Sequence, residues 1–527
     1  MSSAVVTALP SVFGTAALSD CDVVFSLEGL PGAKQTAPAR TLIGEPLPAH
    51  SLVLGLASER FRAQVERWAD GATETSSSPA SRRPQLRVPL GSEAEAPFAR
   101  AAIGYAYTGR VAAVGVRAVL EVRRQAAYLQ IDGCAAACDE RLMGLLTASK
   151  VRRPRGTVRV APAPSSAVAE LMGCWDLMPY SADDPSFAPI LAAAKKALVP
   201  HFGDALAVLN TPSLRWQLLQ LPAAAVEVLL SSEVFGTDTE DSVLLLLATW
   251  MKANHSQTDA KTRERLCRLV RLVHLSRPYL TAVLPALAAD YENGAAGSPC
   301  AWFPISVAEA GFITDLAATP AVRERAAALV GPGKPLYDTQ SPWYRASSRP
   351  QCLSKERRTF EWAITEQELR EELGRLPERG VNAHAYGSFS GGDLYLRGFE
   401  WKVLCHVRHN ATCAGCYLDC AMPAAYDMPG SRLGYGSKAA AVGLDARLAV
   451  HSWGGGARQD AFVHKFEAWR VTFSAGRLLS PSGYGSSSAL RLAQPQPAGG
   501  VDVLAGWAAY LRDGRLTGTL TLLSPFC

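Results

Sequence analysis

Six residues with metal-binding or redox chemistry fall within sixteen positions: Cys405, His406, His409, Cys413, Cys416 and Cys420. Cys413 and Cys416 have the Cys-x-x-Cys spacing of a zinc loop, and zinc takes sulfur and nitrogen ligands in a tetrahedron. No second Cys-x-x-Cys and no spaced His pair completes the pattern. If Tyr417 and Leu418 lie on a strand, Cys416, Leu418 and Cys420 share one face, which suits a thiol-lined core equally well. Cys413, Cys416, Cys420 and His409 are therefore the metal candidates, and no metal or other cofactor is assigned. A redox Cys-x-x-Cys would open a helix after a strand, and Gly415 with its β surroundings argues against that.

Other reactive residues have simpler explanations. Cys134 and Cys138 stand four apart on a helical pattern with no nearby His, as buried core thiols would. His50 borders an apolar run and reads as a packed or capping histidine. Gly331-Pro-Gly-Lys334 lacks the spacing and following Ser/Thr of a phosphate loop. No Gly-x-Ser-x-Gly stands on a strand-turn-helix pattern, and no acid/base set assembles. The expectation is a protein without catalytic residues, with a zinc-dependent or hydrolytic C-terminal domain as the minority reading.

The elements that position these residues span 527 positions, enough for about three domains. At 48% hydrophobic and 19% charged the chain can bury real cores, and a net charge of +5 gives no general case for nucleic-acid binding. The twelve Cys are too sparse for a disulfide scaffold, which favours a reducing compartment. The cytoplasm is expected, with the nucleus as second choice. No run of 18 apolar residues exists, so no membrane partner is expected.

Asp22–Leu27 and Leu86–Leu90 read as short strands. Pro46–Phe61 begins extended and turns into one helix with Leu52, Leu56 and Phe61 on a face, capped by His50 or Ser51. Residues 30–45 and 70–83 are loop-like. Helical patterns follow from Ala94, ending at Gly109, and over Val119–Leu129 and Ile131–Leu142. Residues 150–164 form a basic, Pro-containing linker. Leu214–Leu230 is amphipathic and broken at Pro222 into two helices. Asp238 or Thr239 caps an apolar helix reaching Trp250, and Arg268 and Arg271 read as the solvated face of an amphipathic helix. Residues 291–354 look irregular, with one helix over Ala321–Leu329. From Thr359 the period shortens to strands: Phe360–Ile364, Leu394–Val407, Leu444–His451, Phe462–Phe473, Ala489–Leu492 and Leu516–Leu523. A Glu/Arg-rich helix spans Glu366–Leu376. Trp362, Trp401 and Trp469 are expected in the core.

Three resemblances emerge. Asp22-Val-Val-Phe25, Ala49-His50-Ser51-Leu52-Val53-Leu54, Ala57-Ser58-Glu59-Arg60-Phe61, Phe98, Tyr105-x-Tyr107-Thr108-Gly109 and Ala126-Ala127-x-Leu129 together resemble a BTB (POZ) domain over residues 20–145. Ser51 stands where that family usually carries Lys or Arg. Leu221-Pro222, Leu229-Leu230-Ser231-Ser232, Glu240-Asp241-Ser242-Val243 with Trp250, and Val270-Arg271-Leu272 with Tyr279-Leu280 resemble a BACK domain over 167–290. Thr359-Phe-Glu-Trp362-Ala-Ile364, Phe399-Glu-Trp401-Lys-Val403, Trp469-x-Val471-x-Phe473 and Gly514-Arg-Leu-Thr-Gly-Thr519 resemble a MATH (TRAF-like) domain over 355–525. The resulting fold class is multidomain: an α+β BTB domain, an all-α BACK domain and an all-β sandwich. Linkers lie at 146–166 and 291–354.

The resemblances imply a substrate-recruiting adaptor of a cullin-RING ubiquitin ligase. It would form a homodimer through Val23, Val24, Phe25, Leu52, Leu56 and Phe61. It would contact the cullin through Leu90, Glu93, Phe98 and Tyr107, and hold a target protein on its C-terminal domain. The alternative is a BTB-mediated oligomeric scaffold with no ligase role.

Overall fold

A computed structural model describes residues 3–27, 41–71, 83–148, 167–179, 184–295, 297–318, 337–338, 340–350, 359–376, 382–435, 439–454, 457–474, 477–478, 484–496 and 502–523. The chain divides into two compact units, Met1–His201 and Phe202–Cys527. The linker at 150–164, the helix expected over Ala321–Leu329, the Gly331–Lys334 segment and most of the two loops lie outside the described residues.

The first unit opens with helix α1 (Ser3–Val12) and centres on β1 (Cys21–Leu27), which pairs antiparallel with β2 (Leu42–Ala49) and parallel with β3 (Gln85–Leu90). As the middle strand, β1 buries Cys21, Val23, Val24 and Phe25. β2 runs through Pro46 and Pro48 because it is an edge strand, where a missing N–H donor breaks no ladder bond.

The single helix expected after Pro48 is two helices, α2 (Ser51–Ala57) and α3 (Glu59–Gly71), parted by Ser58 in extended conformation. The Ser58 hydroxyl donates to the Leu129 carbonyl at 2.6 Å, which anchors the break. Neither His50 nor Ser51 supplies the α2 cap. Asp20 does, accepting from the Ser51 N–H at 2.7 Å and from its hydroxyl at 2.5 Å. Three further helices follow: α4 (Ala96–Thr108), α5 (Val116–Leu129) and α6 (Cys134–Ala148). α4 stops at Gly109, whose φ of 62° suits glycine.

Buried Arg123 on α5 pairs with Asp139 on α6 at 2.6 Å and with Asp184 at 2.8 Å. Glu170 on α7 (Ala167–Gly173) accepts from the free N–H groups of Val116 and Arg117 at the start of α5. Together with α8 (Ala188–Phe202), these ties place residues 167–201 in the first unit, ahead of the helical domain assigned to 167–290.

The second unit begins with α9 (Ala205–Asn210), α10 (Pro212–Leu219), α11 (Ala223–Ser231), α12 (Glu240–Asn254) and α13 (Ala260–Cys267). Pro222 separates α10 from α11, as its missing N–H requires. α12 is buried all round from Glu240 to Ala248, the pattern of a central core helix. Two sequence expectations are corrected nearby. α13 ends at Cys267, so Arg271 is no part of a solvated helical face. It is 2% exposed, donating to Glu233 and to the Ser347 carbonyl, both at 2.9 Å. Nor are the described residues of 291–354 a loose connector. They carry α15 (Val307–Ala318), following α14 (Leu284–Asn293), and bury Trp302, Phe303 and Trp343. Arg349 pairs with Glu240 at 3.1 Å, each side chain 1% exposed.

The C-terminal part is all β. Its strands are β4 (Thr359–Thr365), β5 (Asn382–Phe389), β6 (Leu394–Leu396), β7 (Phe399–Arg408), β8 (Ala411–Ala421), β9 (Ala439–Gly454), β10 (Ala457–Ser474), β11 (Arg477–Leu478), β12 (Tyr484–Gln496), β13 (Leu511–Arg512) and β14 (Arg515–Leu522). They form one continuous path, β11-β10-β9-β14-β4-β5-β7-β8-β12, with β6 on β7 and β13 on β14. The two ends of the path approach each other, β10 meeting β8 and β12, so the sheet nearly closes into a barrel. The all-β expectation for this region holds, and two separate stacked sheets are not shown. Trp362 and Trp401 lie in its core, while the side chain of Trp469 falls outside the described residues. The helix after β4 spans Glu366–Gly374 and starts with a Thr365–Glu368 capping box.

Candidate functional site

In the first unit, the residues expected at a dimer surface separate into two groups. Leu52 and Leu56 are 72% and 57% exposed on α2, one turn apart. Val23, Val24, Phe25 and Phe61 are buried in the core of the unit and are not exposed for such a contact. The residues expected to meet a cullin divide likewise. Glu93 is exposed and Phe98 half-buried, whereas Leu90 and Tyr107 belong to the core. Tyr107 uses its hydroxyl to accept the His50 backbone N–H at 3.0 Å, and His50 Nε2 lies 3.0 Å from the Ala17 carbonyl. His50 is thus a packed structural residue.

In the second unit, the strongest constellation is a joint between helix and sheet that sequence reasoning missed. Arg397 and Gly398 form the two-residue turn between β6 and β7, both with positive φ (51° and 75°) as a type I′ turn requires. Side chains from the helical half of this unit, on helices or just before one, satisfy the backbone on either side of this turn. Asn210 accepts from the Tyr395 N–H at 2.7 Å and donates to its carbonyl at 2.8 Å. Asp238 accepts from the Arg397 N–H at 2.6 Å, and Ser242 from the Gly398 N–H at 3.1 Å. The Tyr279 hydroxyl donates to the Gly398 carbonyl and also receives the Tyr426 hydroxyl at 3.3 Å.

Only glycine fits at 398: a Cβ there would stand 2.7 Å from that of Asp241 and 2.6 Å from the Tyr279 ring. Burial pushes the Asp241 carboxyl up to about 7 and raises that of Asp238 as well. A second tie, from Asp290 to the Ser431 hydroxyl at 2.8 Å and the Arg432 N–H at 3.0 Å, lies on α14. The sequence signal available was Arg397-Gly398 between two strand-like runs.

The sheet also presents an open face. Register across β5, β7 and β8 sets His384 beside His406 and Gly415, Tyr386 beside Leu404 and Tyr417, and Lys402 beside Asp419. The His384 and His406 rings are 5.1 Å apart, His406 and Tyr417 are 6.0 Å apart, and Tyr386 is 48% exposed. Burial, then the neighbouring His384, lowers the pKa of His406. The face is therefore aromatic, weakly charged and half wet.

The cysteine cluster resolves onto the opposite side of the same strands. Cys416, Leu418 and Cys420 share the buried face of β8, and Cys405 lies across from Cys416 on β7. Burial pushes the Cys405 thiol up to about 12 and raises those of Cys416 and Cys420 as well, disfavouring the thiolate that metal binding needs. His409 sits in the exposed β7–β8 turn and Cys413 is half-buried on β8. Among the described residues no three His, Cys, Asp or Glu side chains gather as a metal site, and no helix is long and apolar enough to cross a membrane. In the first unit, Cys134 and Cys138 are buried.

No curated protein matches this chain. Residues 206–285 match the family model BACK, described as BTB And C-terminal Kelch. The matched stretch contains Asn210, Asp238, Ser242 and Tyr279, the side chains that hold the β6–β7 turn.

Proposed function

We propose that the protein is a non-catalytic adaptor that bridges a cullin scaffold and a target protein. The BACK match carries this reading, because BACK is the helical companion of BTB domains in such adaptors. The BTB-like motif order over 20–145 supports it. So does the exposed Leu52–Leu56 pair, an apolar patch suited to an isologous contact between two copies. In this reading the surface around Glu93 and Phe98 meets the cullin.

The β domain, read as MATH/TRAF-like, holds the target on the open face of β5, β7 and β8. That face carries Tyr and His, residue types suited to protein contact. The single strand path is unlike the separate four-stranded blades of a propeller. The buried joint gives the arm its purpose: a target held by the sheet is held at a fixed attitude to the BACK helices.

The test is a titration of the purified chain with the N-terminal domain of a cullin. Saturable binding is expected, weakened by Glu93→Lys with Phe98→Ala. Absence of binding by the intact chain would remove the ligase role and leave the reading as an oligomeric scaffold, whose dimer contact is the same.

A further inference from the structure

A cleft of about 350 Å³ opens in the second unit between α10, α12 and the segment from Asp393 to Ala425. Its floor is aliphatic, from Leu209, Leu219 and Leu245. Two cations line it, Arg215 and Lys252, and among the described residues neither forms an ion pair with a carboxylate. The Arg215 guanidinium lies 5.5 Å from the Tyr395 ring centroid, and its one protein hydrogen bond here is a long 3.5 Å contact to the Leu209 carbonyl. Lys252 Nζ donates to the Ala424 carbonyl at 2.5 Å, leaving further N–H donors for a ligand. Asp393, also lining the cleft, takes the Tyr395 hydroxyl at 3.3 Å.

We infer that this cleft binds the C-terminal end of a peptide whose last residue is apolar. The volume is at the small end of ligand pockets, so it takes one or two residues and no folded element. An aliphatic floor beside two unpaired cations asks for an apolar side chain and a carboxylate on the same small group. A peptide terminus supplies both. Arg215, with its planar fork of donors, suits the carboxylate. Asp393 is placed to accept a backbone N–H from the residue before it. This site is separate from the open sheet face and does not rest on the cullin reading, so its failure would leave that reading untouched.

The experiment is a fluorescence-anisotropy titration of the full chain with a labelled Gly-Ser-Gly-Ala-Leu peptide bearing a free carboxylate. Saturable binding is expected. C-terminal amidation, replacement of the last Leu by Asp, and the variants Arg215→Gln and Lys252→Gln should each weaken it about tenfold or more. Lys252 is exposed, so Lys252→Gln should keep the wild-type melting curve and isolate binding from folding. Equal binding of acid and amide, no saturable binding of the acid, or unchanged affinity in a folded Lys252→Gln variant would each overturn the proposal.

Discussion

α2 and α12 are both leucine-rich, and the protein treats them in opposite ways. α12 buries Val243, Leu244, Leu245, Leu246 and Leu247 together, with Glu240 and Asp241 beneath the surface as well. α2 buries Leu54 and leaves Leu52 and Leu56 in solvent. Burying a leucine is worth about 1.5–3 kcal/mol, so the arrangement of α2 leaves an unused driving force that a second copy can satisfy. α12 has spent its apolar surface internally. Its polar first turn does the joining, through Glu240 to Arg349 and through Ser242 to the turn at Gly398. One helix keeps two leucines in solvent, and the other fixes the sheet to the helices.

The sharpest way to break this contrast is at the α12 end. Arg349→Ala would leave the Glu240 charge buried without its partner and should destabilise the second unit by about 3–5 kcal/mol in urea unfolding. A double change to Met at Arg349 and Gln at Glu240 should recover much of that loss. Leu246→Ala should cost about 2–5 kcal/mol, since its cavity cannot refill from solvent. Tyr279→Phe removes the hydroxyl that binds the Gly398 carbonyl and should cost about 1–3 kcal/mol, with the loss concentrated in protection of β6–β7 amides from hydrogen exchange.

A pH series sharpens the same region. The folded Asp241 carboxyl sits at about 7, above its unfolded value near 3.9, so the folded state binds more protons in between. Stability should therefore fall as pH rises from about 4 to 7. Asp241→Asn should flatten that part of the profile relative to wild type. At the other end of the contrast, Leu52→Ala should change the monomer's stability by no more than about 0.5 kcal/mol while weakening self-association.

Much of the architecture was readable from residue pattern, and the exceptions have physical causes. β1, β3, the break at Pro222 and the stop at Gly109 follow from local chemistry alone. β5 was not recognised because Asn382–Phe389 carries alanine, glycine and serine where strands usually carry branched side chains. Its conformation is set by pairing with β7. Arg271 looked like a surface charge because its partner, Glu233, is far away in sequence. The β6–β7 turn was visible only as a Gly between strands, since the four side chains that hold it come from three stretches far from it in sequence. Leu52 and Leu56 were grouped with Val23, Val24, Phe25 and Phe61 by the resemblance, and only burial separates the two exposed leucines from the four core residues.

The proposed adaptor is an arm carried by a dimer and attached to a cullin. Light scattering on the purified chain, alone and mixed with a cullin N-terminal domain, tests it most directly. The prediction is two copies alone, a two-to-two complex after mixing, and a one-to-one complex for the Leu52→Glu, Leu56→Glu variant. A wild-type chain that stays monomeric and adds no mass on mixing would contradict it.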